Sequence, residues 1–272
     1  MQLRKVGISA VALVCGLAMA SAVKASSLSL ALPSDINQAV NPGVNGGLNL
    51  NIQGNAMNGA YVGQINWTVT GGNTPGYSVG QHISTYCIQG LQDVFTGGTY
   101  TYDIVGLNSP GLPEGGPDAG VLDSVAAMQI QGFANQYFGN AGTATAGFTA
   151  NESAAAFQLA IWEIEYDGGQ GGEVFPQLAN FNYFAQGNLK ATGGNTEGTD
   201  AITLANSWLN NFTAAENVSS LALVSNNAQD QLIFQPGGGT PPPTVPLPAA
   251  FPAGAALLSG LFGARKLKRK YA

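Results

Sequence analysis

The sequence is poor in charged side chains, and poorest in basic ones. Of the nine Lys and Arg residues in the 272-residue chain, three lie in the first 24 positions and five in the last eight, which leaves Lys190 alone between Ser26 and Ala264. All fifteen Asp and Glu residues lie in that body. Binding to nucleic acid depends on basic side chains that neutralise phosphates. We therefore exclude DNA and RNA as partners.

Residues that ligate transition metals are also scarce. The chain has one histidine, His82, and two cysteines, of which Cys15 lies in the apolar N-terminal run. A zinc site of nitrogen and sulfur ligands cannot be assembled from one histidine and one further cysteine. Calcium stays open, since Asp167 and Glu173 could supply oxygen ligands, but their spacing matches no EF-hand or RTX loop, and a flexible acidic loop is the favoured interpretation. We expect no metal and no other cofactor.

Glycine and apolar residues dominate the body. With 38 Gly, 14 Pro, 45% hydrophobic and only 9% charged residues, the chain is too apolar for a disordered protein and too rich in glycine for a helical bundle. Segments rich in β-branched and aromatic side chains predict strands. We expect these strands at 60–70, 82–94, 99–107, 221–225 and 231–235, with irregular edge structure over 26–58.

Three segments have helical spacing. They cover 121–138, 153–166 after a capping box formed by Thr149 and Glu152, and a third helix from an N-cap at Thr199 to Asn211. Strands and helices are segregated along the chain and do not alternate. We therefore predict a β-rich α+β fold, with antiparallel sheets in a sandwich or barrel-like arrangement and two or three helices.

Both ends of the chain have the pattern of targeting segments. Basic residues precede an apolar run that ends in small residues near position 25, which is typical of a signal peptide over 1–25. At the other end, a Gly/Pro linker over 236–244 leads into 245–272, where twenty uncharged residues precede a basic tail. Twenty residues are enough for a membrane-spanning helix, and the basic tail predicts a cytoplasmic C-terminus. The exported domain would then comprise 26–235.

The start of the C-terminal segment resembles a known sorting signal. Val245, Pro246, Leu247, Pro248 and Ala249, followed by the apolar stretch and the basic tail, are similar to the VPLPA variant of the PEP-CTERM signal. The resemblance implies a Gram-negative bacterium, transient anchoring in the inner membrane and cleavage by an exosortase. The resemblance further implies delivery to the cell surface or to the exopolysaccharide matrix of a biofilm. A plain C-terminal anchor and a GPI signal are the alternatives, and the closing basic residues disfavour the latter.

Cys87 is the only cysteine that remains once the signal peptide is removed. It cannot form an intramolecular disulfide, although exported proteins favour disulfides. Three interpretations stay open: a buried free thiol in a strand, an intermolecular disulfide, or a reactive thiol.

A glutamine in the second predicted helix suggests a partner for this thiol. Gln158 lies beside the apolar stripe formed by Phe157, Ile161 and Ile164, so its carboxamide is placed at the margin of a buried face. The simpler interpretation is that Gln158 satisfies a neighbouring strand edge.

The two segments together resemble a known domain. Tyr86-Cys87-Ile88 with the downstream Gln158-Leu-Ala-Ile-Trp162 is similar to the Cys–Gln thioester domain of bacterial surface adhesins. The resemblance implies that Cys87 attacks the Gln158 side chain, that ammonia leaves, and that the resulting thioester acylates an amine on a partner. Trp162 and Tyr86 would be supporting residues of the motif.

Few residues qualify as a base for this reaction. His82 lies five positions before Cys87, so in a regular strand the two side chains point to opposite faces, and we expect His82 not to act as the base. Glu163 and Glu165 are candidate proton carriers, although a solvated helix face is the favoured interpretation of both.

These patterns favour an adhesin-like surface or matrix protein that bonds covalently to an amine-bearing partner. The alternative is a non-covalent structural or carbohydrate-binding matrix protein in which Cys87 is a buried thiol. An enzyme that processes exopolysaccharide is least favoured, because no pair of carboxylates is singled out by spacing, and we expect no enzymatic activity.

Overall fold

A computed structural model describes residues 26–107, 124–168, 181–213, 220–225 and 227–234. The predicted signal peptide, the linker and the sorting signal lie outside these residues, and so does Glu173. Within the described part, no helix combines the length and the apolar character needed to cross a membrane.

In the described part of the chain, eight antiparallel strands form one sheet, and six of them close into a barrel. The ring runs β1-β5-β7-β8-β4-β3, and pairing between β1 and β3 closes it, while β2 and β6 extend the sheet beyond β3. The strands are β1 (Ser27–Ala31), β2 (Val40–Ile52), β3 (Asn55–Gly72), β4 (His82–Cys87), β5 (Thr99–Gly106), β6 (Leu189–Gly193), β7 (Ser220–Val224) and β8 (Gln231–Phe234). The predicted β-rich α+β class is confirmed, and the sheet is a barrel.

The helices of the described residues lie between the strands in sequence. They are α1 (Ile36–Ala39), α2 (Ser124–Tyr137), α3 (Ala150–Asp167) and α4 (Thr196–Asn210), with a short 3₁₀ turn at Tyr183–Ala185. The three long helices fall in the segments predicted to be helical.

The first part of the body differs from the sequence prediction. Residues 26–58 were expected to be irregular, but they contain β1, β2 and the start of β3. The glycines that suggested a loop instead allow two strands to approach closely. A Cβ atom at Gly63 would lie 2.5 Å from the Cα atom of Gly43 on the paired strand, so the sheet requires glycine there.

Two further boundaries and one strand also differ. The strand predicted over 82–94 ends at Cys87. The Ile88 N–H still donates to the Asp230 carbonyl oxygen, but the Asp230 N–H donates to the Gln89 side chain, so the ladder does not continue. The third helix begins earlier than predicted, because Asn195 caps it and Thr199 does not. The edge strand β6 was not predicted at all.

α3 is the central helix of the domain. The capping box predicted from Thr149 and Glu152 is present, with both reciprocal hydrogen bonds. The helix packs against β2, β3, β6, α2 and α4, and every residue from Glu152 to Tyr166 is buried. The expected one-sided apolar stripe is therefore wrong, since α3 is covered by the barrel on one side and by helices on the other.

Candidate functional site

Cys87 is the last residue of β4, at the point where this strand pairs with β8. Its register partner on β8 is Gln231, Tyr86 pairs with Leu232 of the same strand, and the residues from His82 to Thr85 pair with β3. The side chain is a free thiol and is only 5% exposed. The strand thus places the sulfur inside the barrel wall.

The structure brings Gln158 directly to Cys87. The Cys87 N–H donates to Gln158 Oε1 at 2.7 Å, and Gln158 Nε2 donates to the Cys87 carbonyl oxygen at 2.8 Å. Gln158 lies on α3 and is 1% exposed. The carboxamide therefore bonds both main-chain groups of Cys87, and its carbon is held against that residue.

Two further glutamines contact the sulfur itself. The Cys87 thiol donates to Gln229 Oε1 at 2.9 Å, and Gln231 Nε2 donates to Cys87 Sγ at 3.7 Å. Gln89 completes the group, since its carbonyl oxygen accepts from Gln229 Nε2 and its Oε1 accepts from the Asp230 N–H at 2.9 Å. We call Gln89, Gln158, Gln229 and Gln231 the carboxamide cluster.

A hydrogen-bonded chain leads into this cluster from β3. Trp67 Nε1 donates to Thr85 Oγ1 at 2.8 Å, and the Thr85 hydroxyl donates to Gln231 Oε1 at 2.8 Å. Trp67, Thr85 and Gln231 are all fully or almost fully buried. Buried polar networks that are completely bonded hold their members in one orientation.

A pocket of about 250 Å³ reaches Cys87 from the surface. Cys87, Gln229 and Trp162 line it together with Asp93 and Tyr61, and its other walls are mostly apolar: Leu32, Ile36, Val40, Leu50, Met57, Ala60, Ile65, Gly90 and Val94. Asp93 is exposed and Tyr61 is 47% exposed, so both lie where the pocket opens. A small ligand group could therefore approach the sulfur.

The two supporting residues of the motif have different surroundings. Trp162 is 5% exposed and lies on the pocket wall. Tyr86 faces away into the core, where its ring contacts Phe157 with 4.8 Å between ring centroids and Phe234 with 6.3 Å. Trp162 is therefore part of the site, and Tyr86 is part of its packing.

Burial dominates the electrostatics of the thiol. It raises the pKa of Cys87 well above its ordinary value; the hydrogen bond from Gln231 lowers this pKa, and the charge of Glu165 raises it further. The thiol is therefore protonated at neutral pH.

The candidate proton carriers are not where the sequence placed them. Glu163 and Glu165 are 3% and 2% exposed, so the expected solvated helix face is wrong. Burial, with a smaller contribution from Asp167, raises the pKa of Glu163 to about 10, so this carboxyl is neutral at pH 7. His82 lies at the far end of β4, is exposed and shares a hydrogen bond with Thr68, consistent with the expectation that it is not the base.

Among the described residues, no three His, Cys, Asp or Glu side chains are grouped as metal ligands. Asp167, a candidate calcium ligand, instead accepts hydrogen bonds from the Asn188 and Leu189 N–H groups at 2.6 and 2.8 Å.

Sequence reasoning missed Gln229 and Gln231. They are two positions apart, so they point to the same face of an extended chain that enters β8. A pair of glutamines with this spacing beside an apolar strand indicates polar groups on one face of that strand. Nothing in the sequence connected these groups to Cys87.

No protein-family model matches the chain, and no curated protein matches it. Among solved structures, it is similar to the N-terminal thioester domain of fibronectin-binding protein SfbI from Streptococcus pyogenes. The TM-score is 0.38 at 14% identity, over 71% of this chain and 95% of that one. It is also similar to the pilus-presented adhesin Spy0125 (Cpa) in two crystal forms. One has a TM-score of 0.32 at 11% identity over 78% of this chain and 69% of that one, and the other a TM-score of 0.27 at 11% identity over 77% and 93%.

Proposed function

We propose that the protein is an exported, adhesin-like module of the cell surface or extracellular matrix, in which Cys87 and Gln158 form an internal thioester that bonds covalently to an amine on a partner. The observation that carries this proposal is the pair of hydrogen bonds between the Gln158 carboxamide and the main chain of Cys87. A reaction between two side chains depends on proximity, and these bonds hold the carboxamide against the residue that carries the sulfur.

Thioester formation exchanges the amide nitrogen of Gln158 for the sulfur of Cys87. The Sγ atom attacks the carboxamide carbon, the carbon–nitrogen bond breaks, and Nε2 leaves as ammonia with the thiol proton. Negative charge develops on Oε1 as the carbon becomes tetrahedral. The Cys87 N–H already donates to that oxygen at 2.7 Å, so it stabilises the charge as it forms.

The second step transfers the acyl group to a partner. The amine nitrogen attacks the thioester carbon, the carbon–sulfur bond breaks, and the amine proton returns to the sulfur. The product is an amide between Gln158 and the partner, with a free Cys87 thiol. The pocket that reaches Cys87 and Trp162 provides the route for an amine on a slender side chain.

Burial and charge composition support a stored thioester. Cys87 is only 5% exposed, so water reaches it only through the pocket, and this restricted access slows hydrolysis. Amines of the protein itself would consume the thioester, and the exported body contains a single lysine, Lys190 on the edge strand β6.

The terminal segments complete the proposal. A signal peptide over 1–25 would export the chain, and the motif that begins at Val245 would hold it in the inner membrane until an exosortase-type enzyme cuts it. The mature protein would then reach the cell surface or an exopolysaccharide matrix. Deleting 245–272 should release the protein without membrane association, and unchanged membrane fractionation would contradict this part.

Intact mass tests the thioester. The mass of the purified wild-type protein is compared with that of Cys87→Ala. After correction for the substituted side chain, the wild type should be lighter by the mass of one ammonia. Processing of the termini affects both proteins equally and cancels in this comparison. Gln158→Ala should also abolish the deficit. Gln129→Ala, which removes a buried glutamine on α2, is the matched control and should keep it.

Two outcomes separate the alternatives. If methylamine adds to the wild-type protein and releases an alkylatable thiol, the thioester is present. A wild-type mass without the deficit, together with a Cys87 thiol that iodoacetamide alkylates once the protein is unfolded in urea, would favour the non-covalent matrix protein instead. Loss of the deficit in Gln229→Ala but not in Gln158→Ala would move the acyl donor to Gln229.

A further inference from the structure

We propose that Gln231 is a catalytic residue of this chemistry, because its Nε2–H donates to the Cys87 sulfur and stabilises the negative charge that the sulfur carries as nucleophile and as leaving group. The catalytic role rests on the proposed function, because it requires that Cys87 form a thioester. The contact between Gln231 and the sulfur is independent of whether the thioester forms.

The orientation of the Gln231 amide is set by its neighbours. Its Nε2 lies 3.0 Å from the Gln229 carbonyl oxygen, and a main-chain carbonyl only accepts. The NH₂ group must therefore face this carbonyl, and its second hydrogen is directed to Cys87 Sγ at 3.7 Å. The amide thus presents a donor to the sulfur.

The other end of the amide is fixed by the chain from β3. An indole N–H only donates, so Trp67 makes the Thr85 hydroxyl an acceptor and directs the hydroxyl proton to Gln231 Oε1. Thr85 is therefore a positioning residue, which acts on the sulfur through Gln231.

Gln229 acts on the sulfur in the opposite sense. Its Nε2 donates to the Gln89 carbonyl oxygen, so its Oε1 must face the thiol and accept the S–H proton at 2.9 Å. The sulfur therefore lies between an acceptor, which favours the thiol, and a donor, which favours the thiolate.

Other groups around the sulfur do not supply this stabilisation. The titratable side chains near it are Glu165 on α3, Asp230 before β8, Tyr102 on β5 and Asp93 on the pocket wall. Three are carboxyl groups, whose charge would oppose a thiolate. Burial raises the pKa of Cys87 as well, and the Gln231 hydrogen bond is the contact that lowers it.

Gln231 has a role in both proposed steps. In thioester formation, the thiol proton leaves with ammonia, and Gln231 stabilises the charge on the attacking sulfur. In acyl transfer, the carbon–sulfur bond breaks with its electron pair on sulfur, and the same N–H stabilises the leaving thiolate until the amine proton arrives. Gln231 itself gains and loses no proton.

The first test measures the thiol without any thioester. In a Gln158→Ala background, the rate of Cys87 alkylation by iodoacetamide is followed from pH 6 to 11. Adding Gln231→Leu should slow alkylation by about tenfold at pH 8 and shift the profile to higher pH, since a hydrogen bond to a charged group is lost. Gln229→Leu should act in the opposite direction, because it removes the acceptor that favours the thiol.

Variants of Thr85 provide a second way to perturb Gln231 in case Gln231→Leu does not fold. Thr85→Val should shift the alkylation profile in the same direction by a smaller amount, and Thr85→Ser should restore it. Gln129→Leu, the same substitution at another buried glutamine, should leave the profile unchanged. An unshifted profile in folded Gln231→Leu and Thr85→Val would overturn the proposal.

The second test measures the transfer itself in the full-length protein. The thioester of Gln231→Leu should react with methylamine about tenfold more slowly than that of the wild type, read from intact mass. If the wild-type protein shows no ammonia loss, the proposed function fails, and the alkylation profiles still decide whether Gln231 supports the sulfur. An equal rate of methylamine addition in both proteins would refute a catalytic role.

Discussion

The domain contains two buried clusters that are built in different ways and meet on α3. One is the carboxamide cluster around Cys87, held by directed hydrogen bonds of 2.7 to 3.0 Å between its amides and the main chain. The other is an aromatic cluster with ring centroids 4.7 to 6.4 Å apart, formed by Phe133, Tyr137, Phe138, Phe157, Trp208, Phe212 and Phe234.

The two clusters have different roles: the aromatic cluster fixes the position of α3, and the carboxamide cluster fixes the orientation of the amide groups. Aromatic packing is favourable over a range of geometries, so it holds α3 between α2, α4 and β8. Hydrogen bonds require specific distances and angles, so they set where each amide points. Phe157 belongs to the first cluster and the adjacent Gln158 to the second. The rings therefore position the helix, and the hydrogen bonds orient the carboxamide groups around Cys87.

The largest expected effect comes from removing the aromatic ring next to Gln158. Phe157→Ala should lower the free energy of unfolding by about 3–5 kcal/mol, because a fully buried ring leaves a cavity among Phe133, Phe138 and Phe234. Urea denaturation measures this, and Phe95→Ala, at a ring that is 72% exposed, should change little. A small effect in Phe157→Ala would mean that the hydrogen bonds alone hold α3.

A second test uses the acid on the same helix, outside both clusters. The pKa of Glu163 is raised from 4.5 to about 10 in the folded protein, so the folded state keeps a proton that the unfolded state releases. This contribution to stability is complete below the unfolded pKa and is lost as pH rises towards 10, by about 1.4 kcal/mol per pH unit.

Glu163→Gln should remove that slope. Between about pH 5.5 and pH 7.5, the free energy of unfolding of the wild type should fall by roughly 2–3 kcal/mol more than that of the variant. Urea denaturation at each pH measures this difference. Glu197→Gln, at an exposed carboxylate on α4, should keep the wild-type slope. Parallel pH profiles for wild type and Glu163→Gln would show that Glu163 is ionised in the folded state.

The smallest expected effect compares two buried glutamines, one inside the carboxamide cluster and one outside it. In a Cys87→Ala parent, where no thioester forms, Gln158→Leu should cost about 1–3 kcal/mol because the main-chain N–H and carbonyl of residue 87 lose their partner. Gln129→Leu should be close to neutral, since its two amide atoms have no hydrogen-bond partner among the described residues. If both substitutions lowered the free energy of unfolding equally, the hydrogen bonds of Gln158 would contribute no more to stability than the buried side chain of Gln129.

Part of the fold was predictable because its signals are local. The capping box at Thr149 predicted the start of α3, and alternation along Ile65, Trp67 and Val69 predicted the middle of β3. β1 and the end of β2 carry the same alternation, with Leu28 and Leu30 and with Leu48, Leu50 and Ile52 buried, but the asparagines and glycines around them favoured irregular structure. The sheet accommodates those residues by close strand pairing, which depends on the rest of the fold.

The site was predictable only to the extent that it resembles a known pattern. Cys87 and Gln158 could be paired by that resemblance, and the structure places them in contact. Gln231 could not be found in this way, because it is 144 residues from Cys87 and becomes its neighbour through the pairing of β4 with β8. Likewise, Glu163 and Glu165 looked solvated, because a helix covered on all sides has no polar face to reveal in its spacing.

The sequence by itself determined the α+β class and the three long helices, and its resemblance to a known motif singled out Cys87 and Gln158 as a candidate pair. These follow from composition, local spacing and short motifs, which act within a few turns of chain. The tertiary structure decided the closure of the barrel, the pocket to the sulfur, and the orientation of each amide around it. Those features depend on contacts between residues far apart in sequence, whose hydrogen-bonding partners are chosen only when the strands and helices have packed.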